Sequence, residues 1–522
     1  MIRTYGKKLA CGLLAAAMVV VAGCQSVGGV DINQPVVNNF KVVSSEASMN
    51  VAVELIPPAS ATPEQKAVLD KLKNIAITFN SKKEDAQHAS YDGFLTTARG
   101  KISFNIYTSG EQTVIKIEGA SKPIVLNVGK TLLSSVMNGS QTSSITQSVL
   151  DMISAPLMQK SADLLPLFAG YITAHVETNP KNISITPVTE TVHGESLSLN
   201  KLHTEISGTE AGQMLQKLMT SIVADEKGMK ELLGSLYDVL APEILKNKES
   251  LNPLVAIVIS NKETAVNFLY GMVQEYAVSF AEKTTASIKS SEMFTDQMYV
   301  KSDFYLDRGL LARKSAVEVL LPAPASNTKV ISAIKIMASG ESWNQNKPVK
   351  ADAYTLTGDS LKLGGSEGGK FLNPSKLLSI FDKQSTAYLT FREDLQLTRK
   401  RLAMKMGQDA GQDPGESGKP FIQNGFTLVP VRYVVEQLDA EVKWDGVKRE
   451  VTVKDELTGN SIVFTIGSKT ALLNGKAVTL DTEAIINSGG STYVPVRFIT
   501  EQGLGGTISW NNATRTVTIA RD

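Results

Sequence analysis

At 522 residues with 42% hydrophobic composition, the chain is long enough to bury more than one core, and two or three domains are expected. Its 53 basic and 52 acidic residues nearly cancel, so it lacks the basic surplus of a nucleic-acid-binding surface and nucleic acid is excluded as a partner. Only four histidines and two cysteines are present, too few and too scattered for a histidine- or cysteine-rich metal centre.

Residues 1–24 have the three parts of an export signal: basic Arg3, Lys7 and Lys8, an apolar run from Leu9 to Ala22, and small residues at Val21-Ala22-Gly23-Cys24. The run is shorter than the roughly 20 residues needed to span a bilayer. Its end resembles the lipobox of bacterial lipoproteins, which implies that the Cys24 thiol takes a diacylglycerol and that cleavage just before it makes Cys24 the first mature residue. Cys11 lies within the signal, so the mature chain has no disulfide. Without the three signal bases, 50 bases face 52 acids. Two or more acyl chains, palmitate among them, at roughly 0.8 kcal/mol per buried CH₂, hold a protein on a membrane without a transmembrane helix.

Residues 24–40, with Gly28-Gly29 and a polar run through Asn38-Asn39, read as a flexible tether. From Met49 to Val128 the apolar residues alternate, as at Ile102, Phe104 and Ile106, and one antiparallel sheet is expected. Helical spacing follows over 145–176, 209–240 and 262–286, with Pro156 and Pro166 expected to kink or divide the first segment. Strand pattern intervenes at Leu197 to Ile206 and returns around Met298 to Leu306, Leu310 to Leu321 and Val330 to Met337. Sheet, helices and sheet again is an α+β order.

The C-terminal part repeats. Thr427-Leu428-Val429-Pro430-Val431-Arg432-Tyr433 returns as Thr492-Tyr493-Val494-Pro495-Val496-Arg497-Phe498, and Trp444-Asp445-Gly446 as Trp510-Asn511-Asn512. Met404 to Gly407 and Phe464 to Gly467 suggest that each unit begins one strand earlier, which places the boundary at Leu395 and makes Gly407 to Lys419 a loop. Proline in a first helical turn forgoes no hydrogen bond, so Val-Pro-Val-Arg marks a strand entering a helix. The Asp-Gly and Asn-Asn pairs suit the positive φ of tight hairpins, and each tryptophan is expected to cap the core in a largely buried position. Arg432 and Arg497 read better as structural pairs over a helix start than as anion ligands.

These units resemble the copper amine oxidase N-terminal-like, or stalk, domain of exported bacterial proteins, over roughly the last 125 residues. The resemblance implies an accessory module with neither copper nor catalysis. Leu438-Asp439-Ala440 departs from the family's Leu-Gly-Ala, and aspartate tolerates the left-handed helix end that glycine usually takes.

No enzymatic constellation stands out. Ser90-Tyr91-Asp92 lacks the asparagine of an amine oxidase cofactor site, and His88, His175, His193 and His203 lack ligand spacing and read as surface histidines. Gly364-Gly365-Ser366-Glu367-Gly368-Gly369-Lys370 is followed by Phe371 where a Walker loop needs Ser or Thr, and reads as a hairpin tip. Met152, Met158, Met214, Met219, Met229, Met272, Met293 and Met298 concentrate in and beside the helical region; core filling is the bland reading, an adaptable apolar surface the functional one.

The pattern of residues 40–390, without any motif, resembles the LolA and LppX type of lipoprotein, which implies a half-barrel sheet whose helices cover a lipid chain. The organisation expected is a signal peptide (1–23), a tether (24–40), an α+β domain (41–394) and a stalk domain with two repeats (395–522). The function expected is that of a non-enzymatic surface lipoprotein on the extracytoplasmic face of a bacterial membrane, lipidated at Cys24. Catalytic, cofactor and metal residues are none. Its partner is an apolar ligand, in a cavity of at least roughly 300 Å³ between helices and sheet. The alternatives are a structural or cell-envelope interaction protein using its stalk, and an unrecognised hydrolase.

Overall fold

Alternating apolar residues give a strand one face to bury, and in the computed structural model twelve such strands hydrogen-bond into one sheet. The structure describes residues 26–110, 112–127, 156–157, 159–176, 178–246, 253–290, 294–323, 331–363, 373–406 and 418–522. Cys24 and the export signal, residues 145–155, Met152, Met158, Met293, the glycine-rich segment 364–370 and loop residues 407–417 lie outside them. Two compact units divide the chain, one within 1–118 and 123–366, the other comprising 119–122 and 367–522. The fold is α+β. Among the described residues no helix is long and apolar enough to cross a membrane.

The first unit opens with helix α1 (Gln34–Phe40), strand β1 (Ser45–Ile56), helix α2 (Pro63–Asp70) and strands β2 (Ile75–Lys83), β3 (His88–Thr97), β4 (Gly100–Ser109), β5 (Gln112–Ile117) and β6 (Ile124–Asn127). Then come α3 (Ser161–Ala174), β7 (Asn182–Val192), β8 (Glu195–Ser207), α4 (Gly208–Ala224), α5 (Glu226–Leu245), α6 (Pro253–Ile259) and α7 (Lys262–Ser290). Strands β9 (Tyr299–Leu306), β10 (Ala312–Pro322), β11 (Ala333–Trp343) and β12 (Leu361–Leu363) complete it. The sheet order is β12-β6-β5-β4-β3-β2-β1-β11-β10-β9-β8-β7. Every pair is antiparallel except β12 with β6. Strand β1 joins two meanders by pairing with β11, Val53 opposite Ile336.

Three local expectations are corrected here. Residues 26–40 are not a bare tether: Ile32 is buried against Leu202 and Leu306, and Asn38 and Asn39 bond Gly309 and Ala312. The short apolar residues Val27 and Ile32 cover the β8–β9 end of the sheet, a long-range contact that local composition does not reveal. The 209–240 segment is two helices, because Asp225 leaves helical geometry and its carboxylate caps α5 at Gly228 N–H, 2.8 Å. Of the kink or division expected at Pro166, the division does not occur: α3 runs through it from Ser161 to Ala174.

The second unit contains short helices α8 (Pro374–Leu378) and α9 (Thr386–Leu389) and then the repeats. The first repeat is β13 (Lys400–Lys405), β14 (Phe421–Gln423), β15 (Phe426–Pro430), α10 (Val431–Gln437), β16 (Glu441–Asp445) and β17 (Glu450–Lys454). The second is β18 (Ser461–Thr465), β19 (Thr470–Leu473), β20 (Lys476–Thr479), β21 (Ile485–Ile486), β22 (Thr492–Pro495), a π-helical turn Phe498–Gly503, β23 (Thr507–Asn511) and β24 (Thr516–Arg521). The repeats exchange their first strands. Met404 of β13 lies opposite Val517 of β24, and Phe464 of β18 opposite Val451 of β17, so each hairpin is completed by the other repeat. Between them β15 and β22 pair with Val429 opposite Val494, Leu428 opposite Pro495 and Pro430 opposite Tyr493, the register of a local two-fold axis through the valines. One core results, with Val429, Val434, Phe464, Val494 and Ile499 at its centre.

The charged centre of this core is not where the repeat motif points. Arg432 is exposed and pairs with Glu436 at 3.4 Å, and Arg497 is exposed too. The buried guanidinium is Arg521, 2.6 Å from Asp455 Oδ2 and donating to Leu438 O at 2.7 Å, with both charged side chains 1% exposed. Asp439 has the expected positive φ, 62°, and its buried carboxylate meets Lys400 at 2.6 Å. Trp444 and Trp510 occupy equivalent positions but are each 43% exposed rather than largely buried, because their strands lie at sheet edges. Positive φ in the two hairpins falls on Arg449 and Arg515, while Asp445 and Asn511 instead accept bonds from turn N–H groups.

Candidate functional site

The register of the large sheet sorts its side chains into two faces. On one face Glu318 accepts from Tyr299 at 2.7 Å and pairs with Lys335 at 3.0 Å, Lys201 and His203 meet Asp303, and Lys314 meets Glu190. The hydrogen bond to Glu318 raises the Tyr299 phenol to about 12 and holds the Glu318 carboxyl below its usual range. This is a solvated, ion-paired surface.

The opposite face is apolar across many strands. Ile75, Val53, Ile336, Val319, Val300 and Ile206 form one continuous row of cross-strand partners. Part of this face is closed: Ala211, Met214, Leu215 and Leu218 of α4 pack on Ile206, Val300, Val319 and Leu321, with Met298 filling the gap. A second cluster, Met229, Leu232 and Leu233 with Leu167, Tyr171 and Leu269, joins α5 to α3 and α7. Met214, Met229 and Met298 are therefore core fillers. Where a cavity was expected between helices and sheet, the described side chains of α4 pack against those of the sheet.

Over β1 and β2 the same face is open. Met49 is 38% exposed and Ile77 40%, although both lie inside a twelve-stranded sheet and face the apolar side. Four neighbouring strands carry the same gradient along this face. Strand β1 reads Leu55, Val53, Val51, Met49, Ala47, Ser45, and β2 reads Ile75, Ile77, Phe79, Ser81, Lys83. Strand β11 reads Ile334, Ile336, Ala338, Gly340, Ser342, and β10 reads Leu321, Val319, Val317, Ser315 and then Arg313. Large apolar side chains thus give way to small ones at corresponding levels, and on the outer two of the four strands, β2 and β10, to the cations Lys83 and Arg313. Two glycines allow close backbone approach beside the strip: a Cβ at Gly340 would lie 2.8 Å from Ser48 O, and one at Gly93 2.1 Å from Thr78 O.

At the polar end is a pocket of about 260 Å³, lined among others by Ala47, Met49, Lys83, Arg313, Gly340 and Ser342. Lys83 Nζ donates to Val42 O at 2.6 Å, and burial pushes its pKa down. Arg313 donates to Ser342 O at 3.1 Å and lies 3.5 Å from Asp307. The register slips between Ala312 and Lys314, a bulge of the kind that re-aims a side chain next to a site.

The residues considered for chemistry are dispersed. His88 meets Asp85 at 2.9 Å, His193 stacks on Trp343 at 3.8 Å, and His203 meets Asp303 at 2.7 Å. His175 departs from the surface reading, its side chain 11% exposed and 3.0 Å from Asp225, because it closes the end of α3 against the α4–α5 break. Burial and the neighbouring Asp225 push the Tyr171 phenol up to about 12. Tyr91 sits edge-on to Phe79 at 6.0 Å in the apolar face. Among the described residues no group of His, Cys, Asp or Glu is arranged to hold a metal ion. Sequence reading missed Lys83 and Arg313, which stand 230 residues apart and come to line one pocket only through the β2-β1-β11-β10 order.

Residues 411–519 match the family described as the copper amine oxidase N-terminal domain, as the repeated Val-Pro-Val-Arg motif led us to expect. The match begins after β13, the strand that completes the β23–β24 hairpin. By structure the chain is similar to the lipoprotein LppX of Mycobacterium tuberculosis, at 10% identity, covering 61% of this chain and 95% of that one, with a TM-score of 0.22. A likeness at that score carries no weight for ligand or function. No curated protein matches the sequence significantly.

Proposed function

We propose that the protein is a non-enzymatic binding protein, exported and held on the outer face of a bacterial membrane by lipid on Cys24, and that its larger unit binds an apolar ligand along the open strip of β1, β2 and β11. The observation that carries this reading is the exposure of Met49 and Ile77 in the interior of the sheet. Exposed contiguous apolar surface is unfavourable in water and marks a binding site when it is not scattered. The domain boundary near Leu395 belongs to the same proposal, with the stalk repeats as an accessory module. Native mass spectrometry of the delipidated protein tests it: an apolar adduct should be present, and Ile77→Glu should lose it while keeping the circular dichroism of the parent. A parent that carries no adduct and binds no apolar fluorophore refutes the reading.

One observation favours a second reading, a cell-envelope interaction protein. Trp444 and Trp510, related by the repeat and each 43% exposed, stand on edge strands of the second unit, and Tyr433 is also exposed. Aromatic side chains placed this way suit contact with a cell-envelope component. Sedimentation with purified cell wall, lost in the Trp444→Ala/Trp510→Ala variant, is the outcome this reading requires.

A further inference from the structure

The gradient along four strands also says what kind of apolar ligand fits. From Ala47 to Leu55 the strip runs roughly 26 Å at about 3.3 Å per residue, the length of a long acyl chain. Its polar end is a pocket of about 260 Å³, below the roughly 300 Å³ of a whole small-molecule site, yet ample for the few heavy atoms of a headgroup. The charge there is positive. Lys83 has a backbone carbonyl as its partner, and among the described residues no carboxylate pairs with it directly; Asp85 acts on it through space. Arg313 keeps donors beyond its bond to Ser342 O, with Asp307 as its neighbouring acid. Glu341 also borders the pocket, but its carboxylate accepts from His193 N–H on the other face of the sheet.

We infer that this pocket receives the anionic headgroup of an amphipathic lipid, with Lys83 and Arg313 as its ligands and the acyl chain lying along β1, β2 and β11. The inference rests on the reading that the strip binds an apolar ligand. A headgroup anion restores to Lys83 the charge stabilisation that burial removes, and the β-bulge beside Arg313 aims a planar guanidinium at carboxylate or phosphate. The small residues Ala47, Gly340 and Ser342 leave the space that the headgroup needs.

The test compares an 18-carbon fluorescent polyene fatty acid with the alcohol of the same chain, titrated into the purified full chain, with acetate and inorganic phosphate as competitors. The acid should bind at least about tenfold more tightly than the alcohol, as a charge-assisted contact implies. Lys83→Met and Arg313→Met should each bring that ratio toward one by weakening the acid far more than the alcohol, and Lys83→Arg should retain it. Equal binding of acid and alcohol by the parent overturns the headgroup assignment and leaves the apolar strip standing. Binding of neither removes both. Competition by acetate or phosphate at the fatty acid's own affinity overturns it in favour of a free-anion site.

Discussion

Asp455→Ala should be the most damaging single substitution among the charged residues of the second unit. It removes the carboxylate 2.6 Å from Arg521 and leaves a 1% exposed guanidinium with Leu438 O as a neutral acceptor. It also removes the acceptor for the Thr458 N–H and hydroxyl, at 2.9 and 2.6 Å. Breaking one side of a buried ion pair costs about 3–5 kcal/mol, against a total stability of about 5–15 kcal/mol for a domain. With an m-value of about 1–3 kcal/mol/M, the urea midpoint should fall by about 1–5 M. Arg432→Ala is the control: its pair with Glu436 is exposed, and a loss of about 0–1 kcal/mol is expected. Urea unfolding followed by tryptophan fluorescence in a Trp343→Phe background reads the second unit alone, through Trp444 and Trp510. The double variant Asp455→Leu/Arg521→Met should recover most of the loss, since an apolar pair avoids the desolvation of both charges. Equal costs for Asp455→Ala and Arg432→Ala would refute the reasoning.

Cys24→Ser should abolish incorporation of a labelled fatty-acid precursor; persistent label would remove the lipidation assignment. A fragment starting at Leu395 should fold without added metal, whereas one starting at residue 411 should lose cooperativity, because it lacks the β13 partner of Val517 and Ile519; equal unfolding curves would contradict the strand exchange. The stability contributed by Glu318, whose carboxyl is held low by Tyr299 and Lys335, is present above the unfolded pKa and lost as pH falls through the folded one. Glu318→Gln should therefore flatten the acid side of the stability profile, and an unchanged profile would show that the contact does not couple to folding.

Much of the fold was legible in local pattern. Alternation at Ile102, Phe104 and Ile106, and the return of Val-Pro-Val-Arg at Arg432 and Arg497, are short-range signals, and both correspond to strands and strand-to-helix turns in the structure. What stayed hidden depends on register. The pocket unites Lys83 with Arg313, and the buried pair unites Asp455 with Arg521, each across a separation that no local window spans. Residues 26–40 looked like a tether because their composition is polar, while the few apolar side chains that dock, Val27 and Ile32, have no periodicity to announce them. The tryptophans looked buried because the hairpin reading carried no information on which strand forms the sheet edge.

The most direct measurement is photo-crosslinking of the purified full chain with a fatty acid carrying a diazirine in its acyl chain, followed by peptide mapping. Labels should concentrate on residues 45–56, 75–83 and 333–343, and unlabelled fatty acid should compete them away. Labels confined to residues 208–290 or to the second unit, or no labelling above that of the unfolded chain, would contradict a ligand strip on β1, β2 and β11.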